Sequence, residues 1–568
     1  MSVWGGLHPP HRLAQSKLIG LPQFRPNIGI PSSQGPLDRA GKHSSQPPSQ
    51  PAPSQLPMFR SSLLVSLLAA LGAVMSFLNQ LVLARFFGTT AEMDAYLIAI
   101  SLPLTISGLL AGVLGYQLVP ALRRAEASRG GADALFRSAC LGLGGGAAFF
   151  AVVGAIGSAW LVRKLNPGLS LEQQVLISRL AHVTWLCLPF AVLGTIYTAG
   201  LHNRQRFAAA TLMTFAPTIG SIVVCLLAHA RIGIDAAVWG QFLGYVAVPV
   251  GLRLALGKPG RGRDPSGFRN VLAQMPLALT AMLIFVLYPF SDAIWGSRVG
   301  LSAVSYLGYA QRLLVGFSGL AVVGATTVLF PRLARHAALG EHEALRRDLG
   351  LSLRYMLVCM APAATLIWVL ADPALQLLFQ RGAFHLSDTL ALGGLLRPML
   401  FGMVAMSCMG LVFKALFANG QVGFAAIFST VGSGVYFALS GFLGTRMGVL
   451  GIGYAYAITW WLVFVLSLTF IWRHLPIRRF LFSAVAFLAK LSAATASVAV
   501  VACLGSQFLP AASSGDSPRR LLVLAGTATV AIGTYLALGN GPLASYEVRL
   551  IIQHLSSIAK PATPEDGT

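Results

Sequence analysis

Between residues 60 and 540, apolar stretches of about 20 residues follow one another, each closed by a charged or Gly/Pro cluster. This alternation leaves few folds open. In lipid every backbone N–H and C=O must be paired internally, so only helices and closed barrels can span it. Uninterrupted runs of this length, without the two-residue alternation of barrel strands, predict helices. Fourteen are expected, from 61–86 to 520–540. The chain has 568 residues, 55% apolar and only 10% charged, against about 25% charged in a soluble globular chain. A single core stops growing near ~250–300 residues, so an apolar excess spread over this length faces lipid. The expected fold is an all-α integral membrane protein.

The formal charge of +23 does not indicate nucleic acid, because no basic domain separates from the apolar runs. The positive residues sit in short clusters between runs, among them Arg123 and Arg124, Arg204 and Arg206, Lys258 and Arg261, Arg332 and Arg335, and Arg478 and Arg479. With the N-terminus in the cytoplasm these all fall inside, as the positive-inside rule requires, and both termini are expected in the cytoplasm. Residues 1–57, rich in Pro, Ser and Gln, read as a disordered tail, with Met58 as an alternative start. The six cysteines lie singly in apolar surroundings and read as small packing residues, not disulfides or metal ligands.

An internal repeat organises the span. Val119-Pro120-Ala121-Leu122-Arg123-Arg124 is answered by Phe330-Pro331-Arg332-Leu333-Ala334-Arg335. Likewise Gln205-Arg206-Phe207 is answered by Gln421-Val422-Gly423-Phe424, and Ile232-Gly233-Ile234 by Leu450-Gly451-Ile452. Offsets of this constancy imply two parallel repeats of six helices about an axis along the membrane normal. The expected organisation is an N-lobe over 58–262, a C-lobe over 263–475, two added helices within 476–545, and a cytoplasmic tail over 546–568, with a central cavity between the lobes.

Ionised side chains at membrane depth cost about 2.5–3.5 kcal/mol on insertion scales and generally face a cavity or a partner. Candidates are Arg85, Asp94, Arg179, His182, Asp292, Arg312, Arg354, Arg397, Lys414 and Lys490. Arg312 stands well inside an apolar span and is expected to face the cavity. The set is mostly cationic, which suits an anionic substrate, and Arg offers a planar donor fork that matches phosphate oxygens. Asp94 and Asp292 are expected to pair with nearby arginines such as Arg85 and Arg298, or to bind a coupling cation. His182 reads as an interhelical hydrogen-bonding residue. Pro103, Pro189, Pro217, Pro276, Pro289 and Pro362 are candidate bends within spans. There is no Walker A loop, HExxH or GxSxG elbow, so a transporter is expected and not an enzyme.

Leu83-Ala84-Arg85-Phe86-Phe87-Gly88, Asp94-Ala95-Tyr96, Leu102-Pro103 and Val119-Pro120 resemble the first two helices of the MurJ/MviN lipid II flippases. These belong to the wider superfamily of multidrug, oligosaccharidyl-lipid and polysaccharide exporters. The segment from Val304-Ser305-Tyr306 through Tyr309-Ala310-Gln311-Arg312-Leu313 is the most specific match, and Leu378 to Phe384 followed by Asp388-Thr389 resembles the junction of the ninth and tenth helices. The resemblance covers essentially residues 60–540. It implies a V-shaped bundle with a cationic cavity, an undecaprenyl-pyrophosphate saccharide as substrate, and a tail groove near the last two helices. It puts functional weight on Asp94, Ser305, Arg312, Arg85, Arg354 and Lys414.

The chain departs from that family where the first helix reads Leu78-Asn79-Gln80 and the second reads Thr105 to Val113, without the usual arginines. Lipid II and an exopolysaccharide or O-antigen repeat unit therefore both stand as expected cargo, and a cation-coupled drug or metabolite antiporter is the alternative. No cofactor is expected. Direction is expected from the membrane potential, a monovalent cation or consumption of the product. The expected partners are membrane lipids and cell-envelope synthesis enzymes, and the expected location is the bacterial inner membrane.

Overall fold

The computed structural model describes residues 55–126, 131–204, 206–257, 262–318, 336, 339–472, 477–508 and 517–540. The tail up to residue 54, the segment from 541 onward and the repeat copy Phe330–Arg335 lie outside the described residues. Every described element is a helix or a connection between helices. The first half comprises α1 (Gln55–Phe87), α2 (Ala91–Glu126), α3 (Gly131–Leu165), α4 (Leu171–Asn203), α5 (Phe207–Met213), α6 (Ala216–Ile232) and α7 (Asp235–Leu256). The second comprises α8 (Pro265–Val286), α9 (Tyr288–Val299), α10 (303–318), α11 (His342–Phe379), α12 (Leu386–Ala418), α13 (Val422–Met447) and α14 (Val449–Trp472). Two more follow, α15 (Ile477–Ser506) and α16 (Ser517–Asn540).

Among the described residues, 12 helices are long and apolar enough to cross a membrane. The other two expected spans are α1, a helix of 33 residues, and 301–331, of which 303–318 is helical and the remainder is not described. α1 begins at Gln55, inside the expected disordered tail.

Pro217 and Pro289 do not bend continuous helices. Each sits in the first turn of a new one, α6 and α9, where the missing N–H would have had no partner and the fixed φ already suits a helix. Pro103, Pro189, Pro276 and Pro362 lie inside helices, as expected.

Helix caps refine the repeat. Arg206 and Gln421 precede α5 and α13, and the positive-φ glycines Gly233 and Gly448 close α6 and α13. The interval is 215 in both cases (206 to 421, 233 to 448). Gly233 therefore answers Gly448, and not Gly451, which falls in the first turn of α14. A helix end needs the left-handed conformation that glycine adopts without penalty, so the cap marks the repeat better than the flanking apolar residues do.

α2 packs on α4, α3 on α4, and α6 on α7, while α12 packs on α14 and α11, and α13 on α14. α8 lies against both groups. Its amide at Ile284 donates to the buried Ser429 hydroxyl of α13 at 2.6 Å, and the Gln117 amide of α2 donates to Gln274 O at 3.0 Å. α15 and α16 pack on each other and on α11, where Tyr535 donates to Val358 O at 2.8 Å. Large apolar side chains such as Phe149, Phe150, Ile156 and Trp160 of α3 are exposed, which is the outward face a lipid-embedded helix requires. All six cysteines are free thiols.

Candidate functional site: the seam between the two halves

α2 and α10 start at the same end of the bundle, and their first turns are joined. Asp94, in the first turn of α2, accepts the Ser305 N–H at 2.8 Å and also the Ser305 hydroxyl proton. The Ser305 amide is one of the first-turn donors that a helix leaves without an internal partner. A carboxylate from one half thus caps a helix of the other, facing two helix N-termini whose dipoles favour negative charge. Asp94 is 8% exposed and Ser305 is fully buried.

One residue before α10, Ser302 has φ 64 and donates to Thr89 O at 2.5 Å. That conformation is unfavourable for a side chain with Cβ, and the contact across the seam holds it. Tyr309 donates to Gly88 O at 2.8 Å, and Ala383 N donates to Arg85 O at 3.1 Å. The last contact requires glycine on both sides. A Cβ at Gly88 would lie 2.2 Å from Ala383 O, and one at Gly382 would lie 2.2 Å from Arg85 O.

Arg312 stands two turns further along α10, about 10 Å from Ser305 at 1.5 Å per residue. It is half-buried, and its guanidinium donates to Gln80 Oε1 of α1 at 2.7 Å. Asp94, Ser305, Arg312 and Gln80 therefore form one line along the seam. A cavity of about 220 Å³ lined by Asp94, Ile98, Gln173, Ile177, Arg298 and Leu301 adjoins the Asp94 end.

The family described as lipid II flippase MurJ matches residues 83–522. The chain belongs to the MurJ family. It is 27% identical over 348 residues to a lipid II flippase MurJ of Burkholderia cenocepacia, covering 58% of this chain and 67% of that protein. It shares the fold of a solved lipid II flippase MurJ in an inward closed conformation, with TM-score 0.71, 19% identity, and coverage of 84% of this chain and 99% of that one. A multidrug resistance MATE family transporter in an inward-facing conformation is more distant, with TM-score 0.57, 16% identity, and coverage of 71% and 94%. MurJ proteins are transporters and not enzymes, so the missing catalytic motifs agree with the family.

Within this MurJ fold the other expected residues disperse. Arg85 is exposed at the end of α1, where its carbonyl, not its guanidinium, crosses the seam. The Arg354 guanidinium lies 5.5 Å from the Phe487 ring of α15, so it points toward the added helices. Lys414 is half-buried on α12. No described contact joins Arg354 or Lys414 to Arg312.

The expected charge pairing of Asp94 and Asp292 is corrected as well. Among the described residues neither forms an ion pair. Asp292, 4% exposed, accepts from the Gln311 amide and the Tyr436 hydroxyl. The arginines near these acids in sequence, Arg85 and Arg298, are exposed in the last turns of α1 and α9. Arg298 donates to Leu165 O at 3.1 Å and lies 4.9 Å from the Trp295 ring. Two other expected arginines do pair, the exposed Arg179 with Asp235 at 2.5 Å and the half-buried Arg397 with Asp372 at 2.8 Å. His182 ties α4 to α3 through Ser158 at 3.4 Å, as expected.

Sequence reasoning missed Thr89, Gln80, Gln311, Asp388 and Tyr436 as functional positions. Gln80 was visible only as the place of a missing arginine, and neutral residues at membrane depth carry no cost signal of the kind that picks out charges.

Proposed function

We propose that the chain is a flippase that moves a polyprenyl-pyrophosphate-linked saccharide of the lipid II type from the inner to the outer leaflet of a bacterial inner membrane, by alternating access. Arg312 carries this reading. It is a guanidinium set between the halves, its described partners are the neutral Gln80 and Tyr96, and it forms no ion pair among the described residues. Its remaining donors suit a pyrophosphate, whose charge is prohibitively costly in hydrocarbon without such a partner. Gln80 is an acceptor that a phosphate oxygen can replace without separating an ion pair. Family membership supports the saccharide-lipid class.

With both termini in the cytoplasm, as the loop charges indicate, the joined end of the seam faces outward. The conformation described is then one closed to the outside, with Asp94 and Ser305 in its outer gate. A headgroup entering from the cytoplasmic side reaches Arg312 first, and release requires the Asp94–Ser305 contact to part. A potential negative inside favours outward movement of an anion by about 2.3 kcal/mol per charge per 100 mV.

Depletion of the chain in its host should cause a lipid-linked peptidoglycan precursor to accumulate in the cytoplasmic leaflet. Accumulation of an exopolysaccharide or O-antigen intermediate instead would change the cargo, and accumulation of neither would refute the reading. Resistance to cationic dyes on overexpression would favour the drug antiporter.

A further inference from the structure

We propose that Asp388 is a second latch of the outer gate, built in the opposite sense to Asp94. In the first latch the N-terminal half supplies the carboxylate and the C-terminal half the hydroxyl. At Asp388 these roles are exchanged. Thr89, in the turn between α1 and α2, donates to Asp388 Oδ1 at 2.8 Å. Asp388 belongs to the first turn of α12, on the other side of the seam. Both residues are nearly inaccessible, at 6% and 8% exposed.

The other two partners of Asp388 come from its own half. His385 N donates to Oδ2 at 2.8 Å, closing the start of α12, and Tyr306 of α10 donates to Oδ1 at 2.9 Å. Neither bond crosses the seam, so both persist when the halves separate. The carboxylate is thus held in place as a preformed acceptor, and Thr89 is the partner that docks and leaves. A buried carboxylate that keeps two donors does not become an unsatisfied group when the third departs, so this bond can open at modest cost. The Gly88–Ala383 and Gly382–Arg85 backbone approaches set the distance at which Thr89 reaches it. Tyr306 follows Ser305 directly, so the two latches share one turn of α10. This inference rests on assigning the 88–90 turn to a gate, not on the identity of the cargo.

The test uses the full chain in nanodiscs, with reagent reaching both faces, and a Leu97→Cys reporter. Leu97 is 7% exposed and packs on Gly308 across the seam, so it is alkylated when the halves part. Rates are corrected with the same chain lacking the reporter. Thr89→Val removes the hydroxyl at nearly constant volume and should raise the alkylation rate roughly tenfold, the effect of one hydrogen bond to a charged group. Thr89→Ser should return it to the parental rate, which a purely steric role for Thr89 would not predict. Asp388→Asn should shift the rate in the same direction and serves as the second reading if the valine variant does not accumulate. An unchanged rate in the folded variants would overturn the latch, whatever the cargo. Absence of saccharide-lipid transport by the parental chain, with the gating shift intact in the variants, would instead count against the proposed cargo alone.

Discussion

Ser305 stands 211 residues after Asp94, the same interval that separates Pro331 from Pro120, and these two positions hydrogen-bond to each other. The start of α2 and the start of α10 therefore meet across the seam. One half places an acceptor there and the other a donor.

Breaking this contact should loosen the outer end. Ser305→Ala removes the hydroxyl donor but keeps the amide, and a hydrogen bond to a charged group contributes about 1.5–3 kcal/mol. The expected outcome is a shift of at least about tenfold toward the state open to the outside, read by alkylation of the Leu97→Cys reporter. Asp94→Ala removes both acceptor interactions and should abolish complementation of a null strain at normal membrane abundance.

Arg312→Ala should abolish complementation. Arg312→Lys should restore little, because an ammonium keeps the charge and loses the planar fork. Lys164, exposed at the end of α3, is the control, and Lys164→Ala should remain active since removal of a single surface charge changes little. Full activity of Arg312→Ala with immunoblot-verified levels would remove the pyrophosphate contact.

Gln80 tests the same contact from the other side. Gln80→Glu places a carboxylate against the Arg312 guanidinium, at a donor–acceptor distance now 2.7 Å. The resulting ion pair competes with phosphate, so transport should fall by an order of magnitude or more. Gln80→Leu leaves the guanidinium free for substrate and should retain more activity than Gln80→Glu. The reverse order in a flipping assay would exclude Gln80 as the exchangeable partner.

Asp264 precedes α8, and its carboxylate accepts from the Gly267 amide and the Ser266 hydroxyl. These bonds favour the ionised form and hold its pKa below the ordinary carboxylate value. A folded-state pKa depressed in this way stabilises fully above the unfolded value near ~3.9 and ceases to do so as pH falls through the folded one. Asp264→Ala should lower thermal stability in detergent at pH 7, by about 1 kcal/mol for a lost helix cap. The difference between variant and parent should vanish at strongly acid pH.

The membrane class, the helical architecture and the doubled plan were determined by the sequence itself. Apolar run length is set by bilayer thickness and the repeat by chain duplication, and both are local quantities. Asp94, Ser305 and Arg312 were also legible, since a charge in an apolar span or a motif shared with relatives stands out one residue at a time. What only the tertiary structure decided is which of them meet. Arg354 points to α15 and not to Arg312, and Asp292 answers to a tyrosine and a glutamine. Asp388 stood in sequence only within a motif at the junction of two helices, and only folding brings Thr89 to it across 299 residues. Pairings of that kind depend on how rigid helices cross and rotate against one another, a property of packed side chains over the whole bundle that no single segment encodes.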